Sequence, residues 1–262
     1  MKYIDQFHHR IAGRPVRGRL VFLHGVMGGL ANWRRITPAF EEDFEVLSFD
    51  QRGHGRSFQP ATGYRPEDFA DDLLLILDEL QWNQISLVGH SMGGRNALNF
   101  AHRFSHRVKR LVIEDIGPEK SQEAVDRLIS LIQSVPTPFH QKLRAKEFFL
   151  NEYPDPVVGN YLYSNLEEKD GGTWDWRFSK AGIIESIRAG RAQDRWVEWE
   201  GLRIPTLLVR GERSTDLTRE VFEECLRRNP ITQGAEIKGA GHWVHYDQPE
   251  LFIQTLQQFL NQ

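Results

Sequence analysis

Ile85-Ser-Leu-Val-Gly-His-Ser-Met-Gly-Gly-Arg95 joins an apolar segment to a helical one through a turn made of glycines and one serine. Ile85, Leu87 and Val88 are predicted to end a buried strand, and residues 89–93 turn sharply into a helix that takes in Gly94 and Arg95. Side chains two residues before and after Ser91 would meet the crossing backbone, which explains Gly89 and Gly93. The helix start adds unpaired N–H groups and a positive dipole end, both favourable to an oxygen anion. Ala97, Leu98, Ala101 and Phe104 continue the pattern at helical spacing. Ser91 is therefore a candidate nucleophile that still needs a base and an oriented acid.

Working outward, the sequence repeats one arrangement: an apolar strand followed by a polar or glycine-rich turn. Leu20–Leu23 leads into His24-Gly-Val-Met-Gly-Gly29, which has neither the ending of a phosphate loop nor dinucleotide spacing. It reads as a donor loop for an acyl oxygen, with the Val26 N–H as the expected donor. Val46–Asp50 leads into Asp50–Ser57, whose Asp50, Arg52 and His54 are expected to fix a loop below the site. Between these strands, Trp33–Phe44 is predicted as a short helix. Val108–Ile113 ends at Asp115, Thr206–Val209 leads to Glu212, Ser214 and Asp216, and Ala235–Lys238 leads to His242. In a parallel sheet all these turns gather on one edge, where ligands bind.

His242 is the expected general base, since imidazole titrates near neutrality and follows the last strand beside Gly241. His90 is expected to support the turn, and His245 to form pocket wall or helix support. Three acids compete to orient the imidazole: Asp115, Asp216 and, less well placed, Glu212. The chain has no HExxH string and no Cys/His cluster, so neither a metal nor a cofactor is expected.

From about residue 119 to 200 the pattern is helical, with breaks such as Lys169-Asp-Gly-Gly172 and no convincing buried strand. This predicts a core of residues 1–118 and 201–262 with an all-helical insertion at 119–200. Asp247-Gln-Pro-Glu250 has the spacing of an N-cap with an acidic partner for the terminal helix.

Composition excludes several alternatives. With 33 basic and 36 acidic side chains and a formal charge of −3, neither a nucleic-acid groove nor an anionic-membrane surface is expected. The start carries no signal-type apolar run, and no stretch is long enough for stable membrane insertion. The single cysteine, Cys225, excludes an intrachain disulfide and fits a reducing compartment. A cytoplasmic monomer or small homo-oligomer acting on a small molecule is the expectation.

Together these motifs resemble the α/β-hydrolase superfamily, and within it the YbfF-like and ABHD11-like serine esterases. The resemblance covers residues 7–260 and rests on HGVMGGLANW at 24–33, FDQRGHGRS at 49–57, GHSMGG at 89–94, EDIGP at 114–118 and GAGHWVHYDQPELF at 239–252. It implies a mostly parallel central sheet flanked by helices, with the insertion as a cap over the cleft. It implies Ser91 as nucleophile, His242 as base, and an oxyanion hole of the Val26 and Met92 N–H groups. Many relatives carry an aspartate where this chain has Ser214, and those resembling it use the position matching Asp115. The resemblance therefore favours Asp115 over Asp216.

The implied chemistry is hydrolysis of short to medium acyl esters through an acyl-enzyme. Pocket residues expected around the substrate are His24, Gly25, Met27, Trp174, Trp176 and Trp243. An acyl-CoA or other thioesterase, a carbon–carbon bond hydrolase or a lactonase would use nearly the same residues. A cluster of pocket arginines would favour a phosphate-bearing thioester. A ligand receptor on the same fold is the non-enzyme alternative.

Overall fold

Alternation along each strand sends side chains to opposite faces, and here both faces are covered. The computed structural model describes residues 2–153 and 156–262. In it, β2 (Gly18–Leu23), β3 (Phe44–Phe49), β4 (Ile85–His90), β5 (Val108–Glu114), β8 (Thr206–Gly211) and β9 (Thr232–Ile237) form a parallel sheet, with β1 (His9–Gly13) antiparallel on the edge beside β3. The order is β1-β3-β2-β4-β5-β8-β9. After β2 the chain steps aside to make β3, then returns to the other flank of β2 as β4, so the order reverses between β2 and β4. Such a reversal opens a crevice at the carboxyl ends of the strands.

Leu20, Phe22, Val88 and Val112 bury against Trp33 and against Phe252 and Leu256 of α10 (Pro249–Leu260). Val21, Leu87, Leu111 and Leu208 bury on the opposite side, with Leu73 and Ile76 of α1 (Pro66–Glu79), Leu98 of α2 (Met92–Arg103) and Cys225 of α8 (Arg219–Arg228). Each such side chain contributes about 1.5–3 kcal/mol of burial.

The stretch expected as one helix at Trp33–Phe44 is instead two 3-10 turns, Leu30–Trp33 and Thr37–Phe40. Pro38 sits in the first positions of the second turn and has no N–H to donate to the carbonyl four residues back, so one continuous α-helix cannot run through it.

Between β5 and β8 lie α3 (Gln122–Ser134), α4 (Lys142–Glu152), α5 (Pro156–Tyr163), α6 (Lys180–Arg191) and α7 (Trp196–Gly201). The insertion is not all helical: β6 (Leu166–Glu168) and β7 (Trp174–Trp176) pair antiparallel, joined by a turn in which Gly171 and Gly172 take φ of 91° and 76°. Strands this short leave almost no period-two signal, and the two glycines read equally well as a helix break. Ile132, Phe149, Trp176 and Ile183 form a separate apolar cluster that also buries Met27 of the β2 loop. α7 lies within the predicted insertion, yet Trp199 packs in the sheet core. Its indole N–H donates to the Cys225 carbonyl at 2.8 Å.

Candidate active site

Ser91 is forced into its position by packing around the turn. It sits at φ 53° at the N-cap of α2, a left-handed backbone angle that costs a non-glycine residue about 1–3 kcal/mol. The turn persists because both flanks are pinned. A Cβ on Gly93 would lie 2.4 Å from the Leu23 carbonyl oxygen, and one on Gly89 would lie 2.3 Å from that of Gly93. The Ser91 N–H donates to the Glu114 carbonyl at 3.0 Å, extending the β4–β5 ladder by one bond.

Asp115 occupies the corresponding end of β5. It too takes a left-handed angle, φ 53°, and its own N–H bonds the Val209 carbonyl of β8 at 2.8 Å. Its carboxylate is fully buried and accepts three hydrogen bonds. Gly211 N–H donates to Oδ1 at 2.8 Å, Ser214 Oγ–H donates to Oδ2, and His242 Nδ1–H donates to Oδ2 at 2.9 Å. Asp216, the alternative acid, stands 3.8 Å from the same nitrogen and is bonded instead by Arg127 at 2.8 Å. Glu212 is turned away, accepting from Gly239 N–H at 2.7 Å.

These contacts fix the state of His242. A carboxylate at Nδ1 keeps the proton on that nitrogen, so in neutral imidazole Nε2 is the acceptor. Burial pulls the His242 pKa down, but the Asp115 hydrogen bond, with the charges of Asp216, Asp115 and Glu114, more than offsets it and raises it above the ordinary 6.5. Burial also pushes Asp115 above the usual carboxylate value, against the pull of its donors.

The loop carrying His242 is held from two sides. His90 is buried, its pKa lowered well below 6.5 by desolvation and by the neighbouring imidazoles, and Nε2–H donates to the His242 carbonyl at 2.9 Å. Asp247 accepts from Gly241 N–H at 2.7 Å. This corrects the expected N-cap: Gln248 precedes α10 with no side-chain cap, and the Asp247 carboxylate serves the histidine loop. His90, Glu114 and His245 bring ligand-type atoms within 4.8 Å of one another, a set that would suit a metal. Glu114 is engaged by the His245 backbone N–H at 2.9 Å and by its Nδ1 at 2.8 Å.

Ser91, Val26 and Met92 line one narrow cleft with Tyr64, Arg95, Ile116, Ile187 and Arg191; about 30 Å³ of it admits a water-sized molecule. Among the described residues neither the Val26 nor the Met92 N–H has a backbone acceptor. The carbonyl of Val26 is held by the Tyr161 hydroxyl at 2.8 Å.

A family model for the alpha/beta hydrolase fold matches residues 18–249. The chain belongs to the α/β-hydrolase family. This hydrolase is 30% identical over 252 residues to the sn-1-specific diacylglycerol lipase ABHD11 of Mus musculus, covering 92% of this chain and 80% of that one. It is 27% identical to the 2-(acetamidomethylene)succinate hydrolase of Mesorhizobium japonicum, covering 92% of this chain and 87% of that one. Among solved structures, a marine microorganism esterase superposes with a TM-score of 0.86 at 28% identity, covering 97% of this chain and 98% of that one.

Several pocket residues expected in this hydrolase stand elsewhere. His24 is fully buried under the loop, its Nδ1 bonded to the Gly25 carbonyl at 2.8 Å and its Nε2 accepting from Gln51 N–H at 2.9 Å. Gly25 does face the site, since a Cβ there would approach the Ser91 Cβ to 3.3 Å. Met27 is buried in the insertion cluster. Trp176 stacks on Phe178 at 4.7 Å and Trp174 lies under Lys142, both within the insertion rather than on the cleft. Trp243 packs on Tyr161 at 5.5 Å and borders a second, larger cavity of about 560 Å³. Aromatic residues serve equally as glue between layers, and sequence does not separate the two uses.

The sequence did not single out Ser214 as a donor to Asp115, Asp247 as a tether, or Arg191. Arg95 carried the one available signal: it follows Ser91 by four residues on a helix, the spacing that places two side chains on one face.

Proposed function

We propose that this hydrolase is a serine carboxylesterase acting on short to medium acyl esters, with Ser91 as nucleophile, His242 as base and Asp115 as the orienting acid. Ser91 Oγ attacks the ester carbonyl while His242 Nε2 takes its proton. The Val26 and Met92 N–H groups stabilise the tetrahedral oxyanion. As the carbon–oxygen bond breaks, the alcohol leaves with the proton from His242; a water, deprotonated by the same imidazole, then releases the acid and frees Ser91. Residues 119–200 act as the cap, opening to admit substrate into a cleft that is otherwise too narrow.

The observation that carries this reading is the three-donor Asp115 carboxylate at 2.9 Å from His242 Nδ1, which holds the proton on that nitrogen and leaves Nε2 as the basic one. Relatives named as an esterase and as a diacylglycerol lipase support ester chemistry. The 2-(acetamidomethylene)succinate hydrolase adds support for a small acidic substrate on the same scaffold.

The test is steady-state hydrolysis of matched neutral ester and CoA-thioester series from acetyl to dodecanoyl, with Ser91→Ala as control. Ser91-dependent turnover with an optimum among the esters is expected. Turnover that survives in Ser91→Ala would refute the nucleophile, and a preference for CoA thioesters would refute the ester assignment.

A further inference from the structure

Two guanidinium groups line the cleft beside Ser91. Arg95 is 3% exposed and Arg191 9% exposed. Arg95 Nη1 donates to the Gly190 carbonyl at 3.1 Å and Nη2 to the Glu119 carbonyl, while Nε is buried without an acceptor. Among the described residues no carboxylate oxygen forms an ion pair with Arg95. The one ion pair of Arg191 among the described residues is with Asp216, at 3.8 Å, and that carboxylate is bonded more closely by Arg127 at 2.8 Å. The third buried arginine nearby, Arg195, also leaves its Nε without an acceptor but has two carboxylates, Glu198 at 2.5 Å and Glu67 at 3.2 Å.

Burying a guanidinium without a counter-charge is costly, and a carbonyl supplies a hydrogen bond but no charge. Burial, with the Arg191 charge next, pushes the Arg95 pKa down to about 9, so it stays a cation near neutrality. Glu119 is an acid whose charge acts on both arginines, yet it forms no ion pair with either among the described residues, and its Oε2 has no hydrogen-bond partner. Arg95 is thus left without an ion pair among the described residues, and Arg191 shares its carboxylate with Arg127.

We propose that the cleft takes esters bearing a free carboxylate a few bonds from the scissile carbonyl, and that Arg95 and Arg191 bind that carboxylate. This rests on Ser91 being the nucleophile. Both guanidinium groups line the same narrow cleft as Ser91, so a carboxylate bound there belongs to the same small molecule as the carbonyl that Ser91 attacks. So confined a space suits a short dicarboxylic chain. The phosphates of a CoA thioester lie a whole pantetheine arm from the carbonyl and would fall outside so confined a floor. A planar carboxylate also matches the guanidinium fork and fits a narrow space better than a tetrahedral phosphate.

The carboxylate belongs either to the acyl part or to the alcohol, and two series separate these. On the acyl side, monoethyl succinate, glutarate and adipate are compared with ethyl butyrate, valerate and hexanoate. On the alcohol side, O-acetyllactate is compared with sec-butyl acetate. One charged series should exceed its neutral counterpart in kcat/KM by about tenfold or more. Arg191→Met and Arg95→Met should collapse that ratio toward one, with Arg95→Lys restoring part of it. Since Arg95 also ties two carbonyls, Arg191→Met carries the test if Arg95→Met misfolds by circular dichroism.

Neutral esters turned over as well as the charged ones in both series would overturn the proposal while leaving the esterase reading intact, as would a ratio that neither arginine variant changes. If wild type hydrolyses no ester, calorimetry on Ser91→Ala decides. Succinate, glutarate or adipate binding more tightly than inorganic phosphate, and lost in the Ser91→Ala, Arg191→Met double variant, supports the arginine site without the reaction. Absent or phosphate-preferring binding overturns it.

Discussion

Replacing Asp115 by asparagine keeps the shape of the side chain and changes what it can accept. The carboxylate receives Gly211 N–H on one oxygen and both Ser214 O–H and His242 Nδ1–H on the other. An amide has a single oxygen. If that oxygen faces Gly211, the NH2 faces Nδ1 and the imidazole must carry its proton on Nε2, where it can no longer accept one from Ser91. If it faces His242, the NH2 collides with the Gly211 donor at 2.8 Å, deep in the sheet edge. The first arrangement loses the charge-assisted bond and the basic tautomer together, for an expected fall in kcat of about 10⁴-fold, or about 5 kcal/mol. Asp216→Asn is the internal comparison. At 3.8 Å from Nδ1 and shared with Arg127 and Arg191, its carboxylate gives a loss below about tenfold. The assay is kcat on a neutral ester for both variants, with covalent labelling of Ser91 by a fluorophosphonate and circular dichroism as controls for the fold. A larger loss in Asp216→Asn than in Asp115→Asn would refute the assignment of the acid.

The base must be neutral to act, and its pKa is raised above 6.5, so kcat/KM should rise with pH along an acid limb whose midpoint lies above 6.5. In Asp216→Asn one of the raising charges is gone and the midpoint should move down; an upward move would contradict the geometry. Gly93→Ala places a Cβ 2.4 Å from the Leu23 carbonyl oxygen, and overpacking of about 1–3 kcal/mol should lower Tm by roughly 2–10 °C in a melting experiment. Unchanged Tm would mean that the turn yields more easily than its contacts imply. Asp247→Ala removes the acceptor of Gly241 N–H and should lower kcat by about tenfold with little change in KM, since the loop holding His242 loosens. A change confined to KM would place Asp247 on the binding side instead.

The strand-turn positions were legible because strand periodicity and glycine placement are local properties of the chain. Val21 and Leu87 alternate as half of a buried sheet must, and Ser91 and His242 each follow a strand. The selection among Asp115, Asp216 and Glu212 was not local. It depends on which strand end lies nearest the imidazole, and Gly211 and Ser214 at the end of β8, with Arg127 of α3, settle those distances from two other segments. The β6–β7 pair was hidden by its brevity. Trp174 and Trp176 were misplaced because large aromatic side chains pack an insertion as readily as they line a pocket. Arg191 gave no signal at all: as a cation near the end of a helix it reads as favourable dipole placement on a surface, yet it is buried at the cleft.

The Ser91 and Asp115 backbones hang on rungs of two adjacent hydrogen-bond ladders, Ser91 N–H on the Glu114 carbonyl of β5 and Asp115 N–H on the Val209 carbonyl of β8. Their separation is thus set by the spacing between neighbouring strands, about 4.8 Å, a length no side-chain substitution alters. The chain leaves the sheet after Asp115 and returns at β8, so α3 to α6 can lengthen or shift without moving either rung, whereas α7 is anchored in the sheet core through Trp199. Such an architecture lets the covering of the cleft vary while the strand ends beneath it stay fixed, and it marks α3 to α6 as the piece to exchange when altering what this hydrolase admits.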